Sequence, residues 1–336
     1  MPDNIKLDDL GEERIIKHLA RKFSIDNPRV TTAIGDDTSV STQMGSMSLL
    51  ATTDTLTEGV HFRQELTTPK LLGGKALSIS LSDIAAMGGW PLFLLVSLSL
   101  PPRTEKRFLD RLYSGIRSRA EQYGVGLAGG NLSKSKYISI TTTVLGEAPK
   151  SDVVYRKGAR AGDIIYVTGE PGASALGLAE LERAGLAKAR RGPLRACVLR
   201  HLDPDPRLGA GRALAKKRLA TAMIDISDGL LLDLKRLCAQ SGIGAIIEIE
   251  QLPLSAGLAR CRKRGGNWAS LALSGGEDYE LLFTAREKDG RAIERLSRRL
   301  ALRMTAIGRI TKGRKVVSLG PDGRAMVLKK EGFLHF

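Results

Sequence analysis

The chain has 336 residues and a formal net charge of +16, with 42% hydrophobic residues but only 4% aromatic residues. This length predicts one large domain or two ordinary ones around a mostly aliphatic core. The three cysteines show neither CxxC nor zinc-site spacing, which favours free thiols in a reducing cytosol over a disulfide framework or a zinc site.

The composition also bears on the partners of the protein. The basic charge is compatible with nucleic acid or with anionic small molecules such as nucleotides. Its basic clusters lack the interleaved aromatic residues that stack on single strands, so we interpret them as a solvated face and expect no nucleic-acid partner. A polar, acidic start predicts no signal peptide, and the apolar runs are too short for a bilayer. We therefore expect a cytoplasmic protein with no membrane partner.

The first half of the chain alternates helical and extended patterns. Helices are predicted at 10–23, 70–87 and 104–123, and strands at 30–34, 48–53, 91–100 and 137–146. A Gly-Gly-Asn sequence at 129–131 is predicted to be a tight turn.

A polar, glycine-punctuated segment at 148–162 predicts a boundary between domains 1–149 and 150–336. The second half is predicted to contain helices at 173–184, 193–201, 208–217, 230–240 and 287–300, strands at 163–168, 223–226, 244–249 and 279–284, and a short β tail. This order of elements predicts an α+β fold, or α/β layers, in two halves.

Acidic residues stand where apolar segments break abruptly. They occur at Asp36-Asp37, Asp54, Asp83, Asp225 with Asp228, and Glu277-Asp278. A buried carboxylate is costly unless a cation or hydrogen bonds compensate it. Together these oxygen ligands suit Mg²⁺, and Mg²⁺ suits phosphate chemistry.

Taken singly, most of these acidic groups have a simpler interpretation. Asp36-Asp37 could form an Asx turn, Asp54 could cap a loop, and Ser227 or Asp228 could be an ordinary helix N-cap. Asp83 is different because it lies inside an apolar helix, where an unpaired charge is destabilising.

Common nucleotide-binding motifs are either absent or in the wrong context. The Gly-x-Gly-x-x-Gly match at 124–129 follows a predicted helix instead of a strand, so we interpret it as a connection. The chain has no P-loop sequence and no protein-kinase signature set. If the protein handles ATP, it must use another fold.

Several stretches together resemble the thiamine-monophosphate kinases, a family within the superfamily that includes aminoimidazole-ribonucleotide synthetase. The matching stretches are 34–38 (IGDDT), 52–62 (TTDTLTEGVHF), 75–89 (KALSISLSDIAAMGG), 129–134 (GGNLSK), 156–160 (RKGAR), 223–229 (MIDISDG), 274–282 (SGGEDYELL) and 331–336 (EGFLHF). The most specific is 52–62, and the resemblance runs from about residue 10 to the end of the printed sequence. It implies a two-domain fold with mixed sheets and packed helices in each half.

The resemblance also implies a reaction and a set of roles. The reaction is ATP-dependent phosphorylation of thiamine monophosphate to thiamine diphosphate by a homodimer, with ATP in a groove of the N-terminal half near the partner subunit. Several Mg²⁺ ions are implied at Asp36, Thr52, Thr53, Asp54, Asp83, Asn131, Asp225 and Asp228. ATP is implied at Tyr113, Gly130, Asn131, Arg156 and Ser227, and thiamine monophosphate at His61, Glu277 and Phe333.

Two residues depart from the pattern of this family. Asn131 stands where many relatives carry Asp, which leaves the metal count open, and Phe333 stands where many carry Trp. Phenylalanine can still stack on a heterocycle, with less area.

The implied chemistry needs no general base. The second pKa of a phosphate monoester is about 6, so the acceptor is already largely dianionic at neutral pH. The difficulty lies in bringing two polyanions together, which several Mg²⁺ ions would offset during direct in-line transfer.

Two alternatives stay open at this point. One is another enzyme of the same superfamily, acting on a purine-pathway amide, selenide or a carbamoyl group. The other is a non-catalytic nucleotide sensor or a nucleic-acid binder, which only the basic charge favours.

Overall fold

The computed structural model describes residues 12–23, 28–43, 45–326, 328 and 330–334. The described chain forms two six-stranded sheets with helices packed against them. The first two residues of the predicted helix at 10–23, and His335 and Phe336 of the last matching stretch, lie outside the described residues.

The first sheet belongs to the N-terminal half. Its strands are β1 (Val30–Thr32), β2 (Ser39–Thr42), β3 (Met47–Thr57), β4 (Trp90–Leu100), β5 (Gly126–Lys134) and β6 (Ser139–Pro149). They lie in the order β1-β2-β3-β6-β4-β5, in which β4 and β5 are parallel and the other neighbours are antiparallel. The edge position of β5 leaves all nine of its residues exposed.

The second sheet belongs to the C-terminal half. Its strands are β7 (Ile164–Thr168), β8 (Ala222–Asp225), β9 (Gly244–Glu248), β10 (Leu281–Ala285), β11 (Met304–Thr311) and β12 (Val316–Leu319). They lie in the order β12-β9-β11-β7-β10-β8, with β12 and β9 parallel and the other neighbours antiparallel. The predicted two-half fold with mixed sheets is confirmed.

Helices pack against both sheets and fill the space between the halves, and the inner strand β10 of the second sheet is buried on both faces. The helices are α1 (Glu12–Phe23), α2 (Pro69–Ala86), α3 (Lys106–Tyr123), α4 (Ala173–Ala189), α5 (Arg195–Leu202), α6 (Leu208–Lys216), α7 (Leu230–Ser241), α8 (Ala256–Lys263), α9 (Trp268–Ser274) and α10 (Gly290–Leu300). Across the described residues, no helix has both the length and the apolar character that crossing a membrane requires.

Helix α2 is the central element of the fold. The Thr68 side chain caps its N-terminus by accepting a hydrogen bond from the backbone N–H of Leu71, and Pro69 occupies the first helical turn. The helix is buried along most of its length and contacts α3, α6, and strands of both sheets. A helix that is apolar on all sides belongs in a core, so the polar residues on α2 are held in fixed positions between the two halves.

Two local predictions are wrong. The Gly-Gly-Asn sequence is not a turn but lies within β5, where a Cβ on Gly130 would stand 1.9 Å from the carbonyl oxygen of Val96. The glycine is needed for close contact between strands. The predicted strand at 48–53 also ends too early, because β3 continues through Asp54 to Thr57 in full register with β6.

The predicted division at residue 149 falls at the end of β6, and the boundary stays a proposal. A single hydrophobic cluster includes Leu81 of α2 together with Met223 and Phe283 of the second sheet. The two halves therefore share a core, which limits motion of one against the other.

Candidate active site

A cavity of about 520 Å³ lies where the two halves meet. Many of the residues that the sequence predicted for the site line it: Thr53, Asp54, His61, Asp83, Asp225, Ser227, Asp228, Glu277 and Phe333. Apolar side chains, including Ile79 and Leu178, form part of the wall. A concave site with a few convergent charged groups and an apolar wall is typical of a small-molecule site.

Three carboxylates from distant parts of the chain converge beside this cavity. Asp83 lies on α2, Asp225 ends β8, and Asp37 follows β1, and one oxygen from each lies within 4.8 Å of the others. Burial, followed by the charges of neighbouring aspartates, raises the pKa of Asp83 and of Asp225 well above the ordinary value. Such a cluster is unfavourable without a cation, and its hard oxygen donors fit Mg²⁺.

Hydroxyl groups hold Asp83 and Asp225 of this cluster, and the nearby Asp54, in place. Ser80 donates to Asp54 at 2.8 Å and Ser82 donates to Asp225 at 2.7 Å. Thr52, a predicted metal ligand, donates to Asp83. Ligand orientation by such neighbours is a regular feature of metal sites.

The Gly-Asp-Asp turn contributes an aspartate to the cluster. Asp37, which we did not predict as a ligand, joins the cluster and pairs with Arg156 at 2.8 Å. Asp36 accepts the backbone N–H of Arg156 at 3.2 Å, and burial and then the Asp37 charge raise its pKa to about 6. Metal binding by Asp36 stays a prediction.

The junction between β8 and α7 is not capped by Ser227 or Asp228. Asp233 instead accepts the backbone N–H groups of Asp228 and Gly229, each at 3.1 Å. Arg236 pairs with both Asp228 and Asp233. Ser227 and Asp228 both line the cavity, and Arg236 holds the Asp228 carboxylate there. Sequence reasoning missed Asp233 and Arg236.

The predicted substrate residues His61, Glu277 and Phe333 all line the cavity. Phe333 is anchored there because its backbone N–H donates to the carbonyl of Asp228 at 2.9 Å. His61 accepts the backbone N–H of Thr57 through Nδ1 at 3.0 Å. Glu277 lies beside His201 of α5.

Three of the predicted ATP residues do not line this cavity: Tyr113 on α3, and Gly130 and Asn131 on β5. Tyr113 lines a separate groove with Leu127 on the α3 side of β5. Asn131 is in register with Ser97, Thr141 and Thr55 of the neighbouring strands, and Thr55 lines the cavity. A row of polar residues therefore crosses the sheet from the cavity to Asn131.

Comparison with known proteins agrees with this geometry. Residues 35–148 match the N-terminal domain model of AIR synthase related proteins, and residues 160–320 match the C-terminal domain model. Thiamine-monophosphate kinase of Escherichia coli (strain K12) is 37% identical over 329 residues, which are 97% of this chain and 98% of that protein. The enzyme of Bacillus subtilis (strain 168) is 34% identical over 95% of this chain and 98% of its own length.

The chain belongs to the thiamine-monophosphate kinase family.

Solved structures of thiamine-monophosphate kinases share the fold over the whole chain. The structure of AaThiL complexed with AMPPCP and TMP has a TM-score of 0.86 and 37% identity, and the match covers 99% of this chain and 100% of that one. The kinase from Aquifex aeolicus has a TM-score of 0.80 at 36% identity, covering 96% and 100% of the two chains. The sequence-based assignment to the thiamine-monophosphate kinases is confirmed.

Buried acids near the site give this kinase-family member a distinctive stability profile. Burial, then the Asp228 charge, raises the pKa of Asp233 to about 7, and burial raises that of Asp278 to about 8. A raised folded-state pKa contributes stability that is complete below the ordinary value of 3.8 and is lost as the pH rises through the folded-state value. We expect the unfolding free energy of the metal-free protein to fall between about pH 5 and pH 8.

Urea denaturation in the presence of a chelator measures this slope. Asp278→Asn should flatten the slope, whereas Asp110→Asn, at an exposed position on α3, should leave it unchanged. A metal-free protein whose stability stays level or increases over this pH range would contradict the assignment.

Proposed function

We propose that the protein transfers the γ-phosphoryl group of ATP to thiamine monophosphate and forms thiamine diphosphate. The observation that carries this proposal is the full-length match to a structure that holds AMPPCP, an ATP analogue, together with TMP, which denotes thiamine monophosphate in this kinase family. The acidic cluster beside a partly apolar cavity supports the proposal. The cluster could hold the metal ions that bind the phosphates, and the apolar lining suits the heterocycles of thiamine monophosphate.

The cavity suggests how the acceptor would lie. Its heterocycles would occupy the apolar side between Phe333 and Leu178, near His61 and Glu277, and its phosphate would point to the acidic cluster. The ATP phosphates would lie along the polar row toward Asn131 and Gly130, with the nucleoside near Tyr113. Ser227 and Arg156 would contact phosphate from the C-terminal half.

The chemistry proposed for this site is direct in-line transfer. Mg²⁺, held by Asp37, Asp83 and Asp225, would offset repulsion between the phosphates when bound. Asp36, Thr52, Thr53, Asp54, Asn131 and Asp228 remain proposed contributors to metal binding. The protein's own side chains would position thiamine monophosphate. Because its phosphate is largely dianionic above its pKa of about 6, no general base is required.

The direct test is conversion of thiamine monophosphate by the purified protein with ATP and Mg²⁺, followed by chromatography of the thiamine phosphates. Thiamine serves as a parallel acceptor. We expect thiamine diphosphate from the monophosphate and no product from thiamine. Lack of product despite intact ATP binding would overturn the acceptor and favour another enzyme of the superfamily, and a trapped phosphoprotein would refute direct transfer.

The Phe333→Ala variant should raise the KM for thiamine monophosphate by ~10-fold and leave that for ATP within ~2-fold, because one stacking surface is lost. Steady-state kinetics with each substrate varied in turn measure both constants. Phe333→Trp should keep or improve acceptor affinity. Equal increases of the two KM values in Phe333→Ala would indicate that Phe333 only packs.

We also propose that the protein is a homodimer that pairs through the edge of its first sheet. Strand β5 is exposed throughout, and Phe93, Leu95, Leu127 and Leu132 expose 37%, 38%, 52% and 66% of their surface. An open strand edge with apolar neighbours is a template for pairing, and a second copy of β5 offers a matching edge.

Light scattering after size exclusion tests the dimer. The wild type should have twice the chain mass of 36.2 kDa. A double variant, Leu127→Arg with Leu132→Arg, should have the mass of one chain, whereas the control variant Glu294→Arg on α10 should remain a dimer. A monomeric wild type would contradict the proposal.

The location in the cell is a separate proposal. We propose the cytoplasm, supported by three cysteines that are all free, of which Cys197 and Cys238 are buried.

A further inference from the structure

We propose that Lys75 and His201 are positioning residues that hold Glu277 so that one of its carboxylate oxygens faces the acceptor in the cavity. Neither residue was assigned a role by the sequence motifs. The inference rests on the proposed function, in which Glu277 contacts thiamine monophosphate.

Lys75 is a cation in the core of the molecule. It lies on α2, only 3% of the residue is exposed, and its Nζ stands 2.8 Å from Oε1 of Glu277. Oε1 is itself buried, so the two charges form an ion pair away from solvent. A buried ammonium group requires such a partner.

The ion pair determines how Glu277 is presented. Its side chain keeps 24% of its surface exposed and lines the cavity, while Oε1 is turned away toward Lys75. Oε2 is therefore the oxygen available to a ligand. Burial alone would raise the pKa of Glu277, but the charge of Lys75 outweighs burial and lowers it, so the carboxyl group remains ionised.

His201 approaches the same carboxylate from α5. Its Nδ1 lies 3.4 Å from Oε2 of Glu277 and 3.1 Å from the hydroxyl of Ser174. Burial, reinforced by the charge of Lys75, lowers the pKa of His201 to about 3, so the ring is neutral at physiological pH. The positive charge of Lys75 thus balances the negative charge of Glu277. Oε2 of Glu277 can accept a hydrogen bond from the substrate while the Lys75–Glu277 pair as a whole stays neutral.

The backbone at Glu277 explains why such support is needed. Glu277 and Tyr279 have φ values of +62° and +50°, which residues other than glycine rarely adopt. Backbone hydrogen bonds from Glu277 to Ser227 at 2.7 Å and from Tyr279 to Ile226 at 2.8 Å hold the segment. Strained conformations persist at functional sites only where several contacts enforce them, and Lys75 supplies one from the opposite half.

The position of Lys75 on α2 also sets a distance within the site. Asp83 lies eight residues further along the same helix, which corresponds to a rise of about 12 Å. A single rigid helix therefore spaces the acidic cluster, where the phosphate would lie, from the carboxylate that would meet the other end of the acceptor.

The test is a double-mutant cycle between Lys75→Met and Glu277→Gln, with kcat and both KM values measured for each variant. We expect Lys75→Met to raise the KM for thiamine monophosphate by ~10-fold or more while the KM for ATP stays within ~2-fold. Because Lys75 acts through Glu277, the double variant should match Glu277→Gln alone. Lys70→Met, at an exposed position on α2, should behave as wild type.

A thermal melt separates positioning from folding. Lys75→Met leaves a buried carboxylate unpaired and should lower Tm, and the double variant should recover Tm without recovering acceptor affinity. His201→Leu should raise the acceptor KM, and His201→Gln, which retains an N–H donor, should do so less. These two variants keep the inference testable if Lys75→Met does not fold.

The outcomes distinguish this inference from the proposed function. A wild type that neither binds nor phosphorylates thiamine monophosphate would contradict both. If the wild type is active, two results would overturn the positioning role alone. One is an unchanged KM for thiamine monophosphate in Lys75→Met. The other is a double variant in which the KM effects of Lys75→Met and Glu277→Gln multiply.

Discussion

The Asp83→Asn variant is expected to lose ~10²- to 10³-fold of the kinase rate, because one charged oxygen is removed from the cluster that would hold Mg²⁺. The same substitution should leave the metal-free protein as stable as the wild type or more stable. Asp83 is buried beside Asp54, Asp225 and Asp37, and the repulsion among them raises its pKa. A neutral amide removes that repulsion at nearly constant volume.

Two measurements on the same preparation check this prediction. Thiamine diphosphate formation gives the rate, and thermal melts with and without MgCl₂ give the stability. The wild type should gain Tm on addition of Mg²⁺, and Asp83→Asn should lose most of that gain. Asp110→Asn on α3, whose side chain is 58% exposed, serves as the matched control. Near-wild-type turnover in Asp83→Asn would refute the proposed metal site.

The Gly115→Ala variant is expected to lose at least ~3 kcal/mol of unfolding free energy. Gly115 of α3 lies against the backbone of α2, where an added Cβ would stand 1.9 Å from the carbonyl oxygen of Lys70 and 2.9 Å from the nitrogen of Gly74. Gly73 makes the reciprocal approach, 2.0 Å from the carbonyl oxygen of Leu112. Backbone atoms cannot rotate away as side chains can, so the helices would have to separate.

Urea denaturation at fixed pH measures this effect. Gly209→Ala is the matched control because Gly209 lies in helix α6 with no atom within 4 Å of an added Cβ. It should be neutral or stabilising by ~0.5–1 kcal/mol, since alanine favours a helix. A Gly115→Ala variant within ~1 kcal/mol of wild type would show that α2 and α3 can separate at little cost.

The same crossing matters for function as well as stability. Helix α2 carries Lys75, Ser80, Ser82 and Asp83, all of which point to groups at the site. A displaced α2 would move the acidic cluster and the Glu277 partner together. We therefore expect Gly115→Ala to lose activity at temperatures where the variant is still folded.

Sequence patterns located most of the helices and strands because their periodicities are local properties of the chain. The helix around Asp83 and the strand-to-helix junction at Asp225 both follow the prediction. The errors at Gly130 and Asp54 share one cause, since both residues lie in strands whose length is set by pairing with β4 or β6. Pairing partners are distant in sequence, so glycine and aspartate locally favour turns that the sheet overrides.

The sequence by itself determined which residue types form the site, because carboxylates that interrupt apolar segments can be recognised without knowing the fold. Its motifs also identified the family. The tertiary structure decided which groups meet. It placed Asp37 in the cluster, set Lys75 and His201 against Glu277, and put Asp233 at the start of α7. These contacts join residues up to about two hundred positions apart, and burial between two packed halves, which no local pattern encodes, fixes their charges and partners.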